Sequence, residues 1–129
     1  MGKARLLVFD VIGGTGFSEI ECSKLDDYYK ALKCDCFDVA YRKVGGEDGK
    51  YFDIFVDDIG LFVDNPIPSA FSSDSGVMLV GNLIFANHDS HGNTTSLSDE
   101  DIMLIRNSTS TAIDPETGKA WTVCFPVDY

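Results

Sequence analysis

Two short stretches hold the residue types best suited to chemistry. Cys34-Asp35-Cys36 sets two thiols at i, i+2, and His88-Asp89-Ser90-His91 sets the chain's two histidines three positions apart. In an extended segment an i, i+2 spacing turns both sulfurs to one face, and two imidazoles in one turn can share an ion. Together Cys34, Cys36, His88 and His91 form a set suited to a tetrahedral, structural Zn²⁺. Asp35 or Asp89 could replace a ligand, and neither spacing is the zinc-finger pattern. A plainer reading stands beside it: two small core thiols and two solvated turn histidines.

The remaining catalytic patterns fail on their own terms. Val11–Phe17, VIGGTGF, resembles a glycine-rich nucleotide turn, which needs strand, tight turn and then a helix facing pyrophosphate. Gly14 and Gly16 fill two glycine positions, but Glu19 stands at the third, and SEIE puts carboxylates where phosphate would lie. The segment reads as a turn. Ser90, between the histidines, has no glycine-framed strand–helix turn behind it. Adjacent carboxylates such as Asp57 and Asp58, or Asp99 and Glu100, are explained by acidic turns and helix starts more simply than by acid–base catalysis. The expectation is a protein that is not an enzyme. Cys22 and Cys124 lie in apolar surroundings, where a buried free thiol is the default.

Ten Lys and Arg against 21 Asp and Glu give a net charge of −11 over 129 residues. Such a charge disfavours direct nucleic-acid binding, which needs cations to displace counterions from phosphate. It favours basic protein surfaces, towards which the opposite potential steers encounter; the rival reading is that acidity only keeps the protein soluble. No apolar run reaches the ~18 residues of a membrane span, and the opening reads as a strand rather than a signal peptide. The expected setting is cytoplasmic, without membrane contact.

The elements that must position these residues follow from periodicity. ARLLVFDVI (4–12) reads as a buried strand and SEIEC as a second. Ser23 is the expected cap of a helix over KLDDYYKALK, with Leu25, Tyr28, Tyr29 and Leu32 on its buried face. Residues 36–57 read as a hairpin about the turn GGEDGK. The two prolines of NPIPSAF exclude a central strand, so that stretch is expected to be an irregular loop. GVMLVGNLIFAN reads as one central strand with a bulge at Gly81. SLSDEDIMLIRN begins a second helix, capped by Ser98 with Asp101 three residues on. TAIDPETGKAWTVCF closes as a hairpin. The prediction is one α+β domain over 1–129, a mostly antiparallel sheet of about six strands packed with two helices.

Across residues 34–105 the stretches CDCFDVAYRKVGG, YFDIFVDDIGLFVDNPIPSAF, MLVGNLIFANHD and TTSLSDEDI resemble a family of uncharacterised small proteins from phages, plasmids and conjugative elements of Firmicutes. The matching positions are Gly45, Gly46, Asp53, Asp57, Asp58, Gly60, Leu61, Asn65, Pro66, Ser69, Ala70, Val80, Gly81, Asn82, Ser96, Leu97 and Asp101. Ile59 stands where that family carries glutamate, and the histidines stand where it carries acidic and glycine residues. The resemblance implies a genomic setting in which small acidic proteins inhibit host nucleases. The expected partner is therefore the basic surface of a Cas effector such as Cas9, bound in the manner of an anti-CRISPR protein within the bacterial cytoplasm. Asp57, Asp58, Asp64, Asp99, Glu100 and Asp101 are the candidate partner-binding carboxylates. Two rivals remain: a small metal-dependent enzyme using His88 and His91, and an accessory protein of plasmid or phage maintenance.

Overall fold

A computed structural model describes residues 3–58 and 66–129. Among the described residues two helices and eleven strands are present, the strands forming two sheets around a shared core. The first sheet runs β11(Val127–Asp128), β3(Phe37–Val44), β4(Lys50–Asp57), β7(Leu83–His88), β1(Ala4–Asp10), β2(Gly16–Cys22), with β8(Thr94–Thr95) beside β7. The second runs β6(Gly76–Val80), β5(Pro68–Ser72), β10(Ala120–Cys124), β9(Thr109–Ile113). All registered pairs are antiparallel except β5 with β10, which meet in parallel at Ala70 and Cys124. The α+β class and the two helices are as expected, but the strands are more numerous than six. Several are only two to five residues long, too short for alternation to betray them.

Period-2 alternation splits the first sheet's apolar residues between two layers. Leu7, Phe9, Phe52, Ile54, Leu83 and Phe85 pack with Ala70 and Cys124 of the second sheet and with Ile102 and Ile105 of α2(Asp99–Asn107). Leu6, Val8, Phe55, Ile84 and Ala86 face the other way, towards Leu32 of α1(Leu25–Leu32). The first sheet is thus covered on one face by the second sheet and α2, and on part of the other by α1.

Two segments depart from expectation. GVMLVGNLIFAN is two strands in different sheets rather than one. Gly81, at φ +76°, turns the chain between them, a conformation cheap only for glycine. Beside it Asn82 is buried (1% exposed) and accepts from the backbone N–H groups of Val11 and Ile12 at 2.9 and 3.0 Å. Its Nδ2 donates to the Ala31 carbonyl at 3.0 Å. An apolar run cannot pass straight through a position that binds three backbone groups elsewhere. The second departure is NPIPSAF, whose last four residues belong to an interior strand. Pro68 opens β5, the one place in an interior strand where its missing N–H is tolerated.

The helix ends follow from local chemistry. Ser98 caps α2 as expected: its Oγ accepts from the Asp101 N–H at 3.1 Å, and Asp101 Oδ2 accepts from the Ser98 N–H at 3.0 Å. At α1 the expected cap shifts by one residue to Lys24. The Asp27 carboxylate serves instead, accepting from the N–H groups of Ser23 and Lys24 at 2.9 and 3.2 Å. Leu25, expected inside, is 60% exposed, because this eight-residue helix meets the sheet only from Tyr28 onward. VIGGTGF is a turn, held by Asp10 accepting from the Gly13 N–H and the Thr15 hydroxyl, and a strand follows it.

Candidate functional site: a His–Asp cleft and its acidic surroundings

Alternation on β4 puts Tyr51 and Asp53 on the α1 side of the first sheet, and the β3–β4 register sets Tyr41 opposite Asp53. The registered β4–β7 pairs end at Asp53–Ala86, and beyond them opens a cleft of about 370 Å³. Tyr41, Lys50, Tyr51, Asp53, Asn87, His88 and Thr95 line it. His88 Nδ1 and Asp53 Oδ2 stand 2.8 Å apart, with the Asp53 side chain 13% exposed and that of His88 41%. With Nδ1 engaged by a carboxylate, Nε2 is the nitrogen left to accept a proton or a hydrogen bond. Tyr41 and Tyr51 stack at 5.1 Å and 21°, and the His88 ring lies 5.5 Å from Tyr41. The Tyr51 hydroxyl donates to the Tyr129 carbonyl at 3.1 Å.

The floor of the cleft is fixed by Asp101, 6% exposed. It accepts from Lys50 Nζ at 2.9 Å, Asn87 Nδ2 at 2.8 Å and the Ser98 N–H. Burial alone would raise this carboxyl. The hydrogen bonds from Lys50, Ser98 and Asn87, with the Lys50 charge, outweigh burial and hold it below the ordinary carboxylate range. Asp101 was expected on the partner-binding surface. The structure places it inside, because capping and ion pairing consume its oxygens.

Among the described residues no hydroxyl or thiol is hydrogen-bonded to His88. What the cleft offers is an oriented imidazole, a largely buried carboxylate and two half-exposed aromatic faces.

The zinc set is not assembled. Phe37 pairs with Asp57, which leaves Cys36 level with Asp58, whereas the β4–β7 register carries His88 level with Tyr51. The cysteine and histidine pairs therefore stand at opposite ends of β4, roughly 20 Å apart at about 3.3 Å per residue. Among the described residues no group of three or more His, Cys, Asp or Glu side chains is gathered closely enough to hold a metal ion. His91 sits in the turn 89–93, organised by Asp89 accepting from the N–H groups of His91 and Asn93 at 2.9 Å. Cys34 is half-buried after α1; burial, then the charges of Asp57, Asp58 and Asp35, push its thiol up to about 11.

The other carboxylates have separate fates. Asp58 and Glu100 are exposed, as are Asp35 and Asp38, and Asp57 is half-buried at the end of β4. Asp99 is also exposed and pairs with Arg5 Nη1 at 2.7 Å, while Arg5 Nε binds Glu19 at 2.6 Å. Asp64 lies outside the described residues. The sequence reading missed Tyr41, Lys50, Tyr51 and Asn87; the i, i+2 spacing of Tyr51 and Asp53 was a usable signal once β4 was placed.

No helix of the described residues is long and apolar enough to cross a membrane. A family model described as a domain of unknown function, DUF3846, matches residues 6–110. No curated protein matches, and neither does any solved structure.

Proposed function

This chain belongs to the DUF3846 family, a domain of unknown function, and we propose that it acts by binding a basic protein surface rather than by catalysis. In its specific form the protein is an inhibitor of a host defence nuclease, of the anti-CRISPR kind, carried by a phage or other mobile element of Firmicutes. One observation carries the reading: a net charge of −11 shown to solvent by carboxylates such as Asp35, Asp38, Asp58 and Glu100. Opposite potentials steer encounter and fix orientation without chemistry, and a Cas effector holds its heteroduplex in a positively charged channel.

The cleft supplies an anchor for such a partner. Tyr41 and Tyr51, 50% and 40% exposed, present faces on which an arginine or lysine side chain can stack within reach of Asp53. Aromatic anchors beside a desolvated carboxylate are the usual carriers of interface energy.

The test is capture of Cas effectors from Firmicutes hosts by the purified protein, followed by association kinetics at several salt concentrations. A complex is expected whose association slows as salt rises, and slows further in Asp58→Lys and Glu100→Lys. Tyr51→Ala should act on dissociation, weakening binding by about tenfold or more. Failure to capture any effector would sink the specific reading. A complex indifferent to both salt and charge reversal would remove the acidic-surface mechanism.

A further inference from the structure

The residues of the cleft beyond the β4–β7 pairing carry more acceptors than they use among themselves. Their ammonium and amide donors are engaged: Lys50 Nζ by Asp101 at 2.9 Å, and Asn87 Nδ2 by Asp101 at 2.8 Å and by the Ser96 carbonyl at 3.3 Å. The Tyr51 hydroxyl donates to the Tyr129 carbonyl. Among the described residues no hydrogen bond reaches Asp53 Oδ1, Asn87 Oδ1 or His88 Nε2, whereas Asp53 Oδ2 meets His88 Nδ1. Lys50 is balanced at the floor by Asp101, so with His88 neutral the Asp53 charge stands in excess. The stacked rings of Tyr41 and Tyr51 form a flat wall beside it. A volume of about 370 Å³ is at the small end for a ligand pocket, room for one long side chain rather than for an element of structure.

We infer that this cleft is a receptor for one arginine side chain and discriminates it from lysine. The inference rests on the reading of the cleft as the anchor of a basic partner. A guanidinium is planar, carries five N–H donors in a fixed fork, and is less tightly hydrated than an ammonium. Its face can lie on the tyrosine wall, while its N–H groups donate to Asp53 Oδ1 and to the neutral imidazole at Nε2. The Nδ1 contact already orients the carboxylate, so little side-chain freedom is lost when the ligand enters. An ammonium can pair with Asp53, but it is strongly hydrated and has no planar face to set on the rings.

The probes are Nα-acetyl-arginine amide, its lysine counterpart and its citrulline counterpart, which keeps the shape of arginine without the charge. Each is titrated into the isotope-labelled 129-residue chain while the NMR signals of His88 and Tyr51 are followed. Arginine should shift both signals saturably, with a dissociation constant on the order of 1 mM. Lysine should bind about fivefold more weakly or worse, and citrulline should give no saturable shift. Asp53→Asn and Tyr51→Leu should each weaken arginine binding about tenfold. The Tyr51 ring is half exposed, so Tyr51→Leu keeps the test open should Asp53→Asn fail to fold. Lysine binding as tightly as arginine, citrulline binding, or arginine binding that survives Tyr51→Leu would each overturn the inference. So would the lack of a saturable shift with arginine up to about 50 mM. Arginine bound with no effector captured keeps the receptor and loses the nuclease. An effector captured without any arginine response keeps the acidic surface and loses the receptor.

Discussion

The strands of the first sheet carry Arg5, Asp10, Glu19, Glu21, Asp38, Arg42, Lys43, Lys50, Asp53, Asp57 and Asp128, whereas those of the second carry no charged side chain. Both sheets close on the same core, Phe52 and Phe85 from one meeting Ala70 and Cys124 from the other. Hydrophobic burial therefore does not distinguish them. They differ in what the outward positions do. In the first sheet those positions build a pair and a cleft, as at His88–Asp53; in the second they stay apolar or hydroxylated. One fold can hold a charged outer surface and a charge-free one, because outward-facing residues contribute little to folding and are free to specialise.

Removing the buried Asp101 carboxylate should have the largest effect. Asp101→Ala leaves Asn87 without its acceptor, unpairs Lys50 and removes the side-chain half of the α2 capping box, so urea unfolding should show a loss of about 3 kcal/mol. Asn82→Ala, which orphans the Val11 and Ile12 N–H groups and the Ala31 carbonyl, should cost about 2 kcal/mol. A full loss for Asn82 but little for Asp101 would mean that the charged sheet is held by its turns rather than by its ion pairs.

Acid titration sharpens the same contrast. The folded Asp101 carboxyl is held below its ordinary value, so its contribution is complete above the unfolded value and disappears as pH falls through the folded one. Stability should decline below about pH 4, and Asp101→Asn should flatten part of that slope. A variant titrating like the wild type would place the acid sensitivity elsewhere. At the small end, His88→Ala should cost under about 1 kcal/mol, since the His88 side chain is 41% exposed. Ile113→Ser, on the charge-free sheet, should change monomer stability by no more than about 0.5 kcal/mol. A large loss there would mean that the second sheet's outer face is part of the core.

Much of the fold was legible in the sequence where the signal was local. The hairpin over 36–57, the Ser98–Asp101 capping box and the last hairpin arise from alternation, capping and turn chemistry among near neighbours. The family resemblance now has a physical reading at several positions. Gly81 supplies a positive φ, Asn82 binds three backbone groups, and Asp101 ties α2 to β4. At Gly45, φ is +100° and an added Cβ would stand 2.9 Å from the Leu104 side chain. These are architectural duties. The motif that carries the resemblance therefore describes how the domain is built more than what it does.

The candidate site was less legible. Grouping Cys34, Cys36, His88 and His91 required that two ends of the chain's middle meet, and register alone settles that. A two-residue spacing turns side chains to one face but says nothing about which end of a neighbouring strand they reach. The same limit hid the His88–Asp53 contact, formed across 35 positions by the pairing of β4 with β7.

By itself, then, the sequence determined the net charge, the cap of α2, the hairpins and the α+β class, because each depends on composition or on residues a few positions apart. Only the tertiary structure decided that an apolar run from Gly76 to Asn87 divides between two sheets, that Asp101 is buried while Glu100 is exposed, and that His88 faces Asp53 rather than a cysteine. Those outcomes depend on strand order and register, and these are set by how the whole apolar surface can be buried at once.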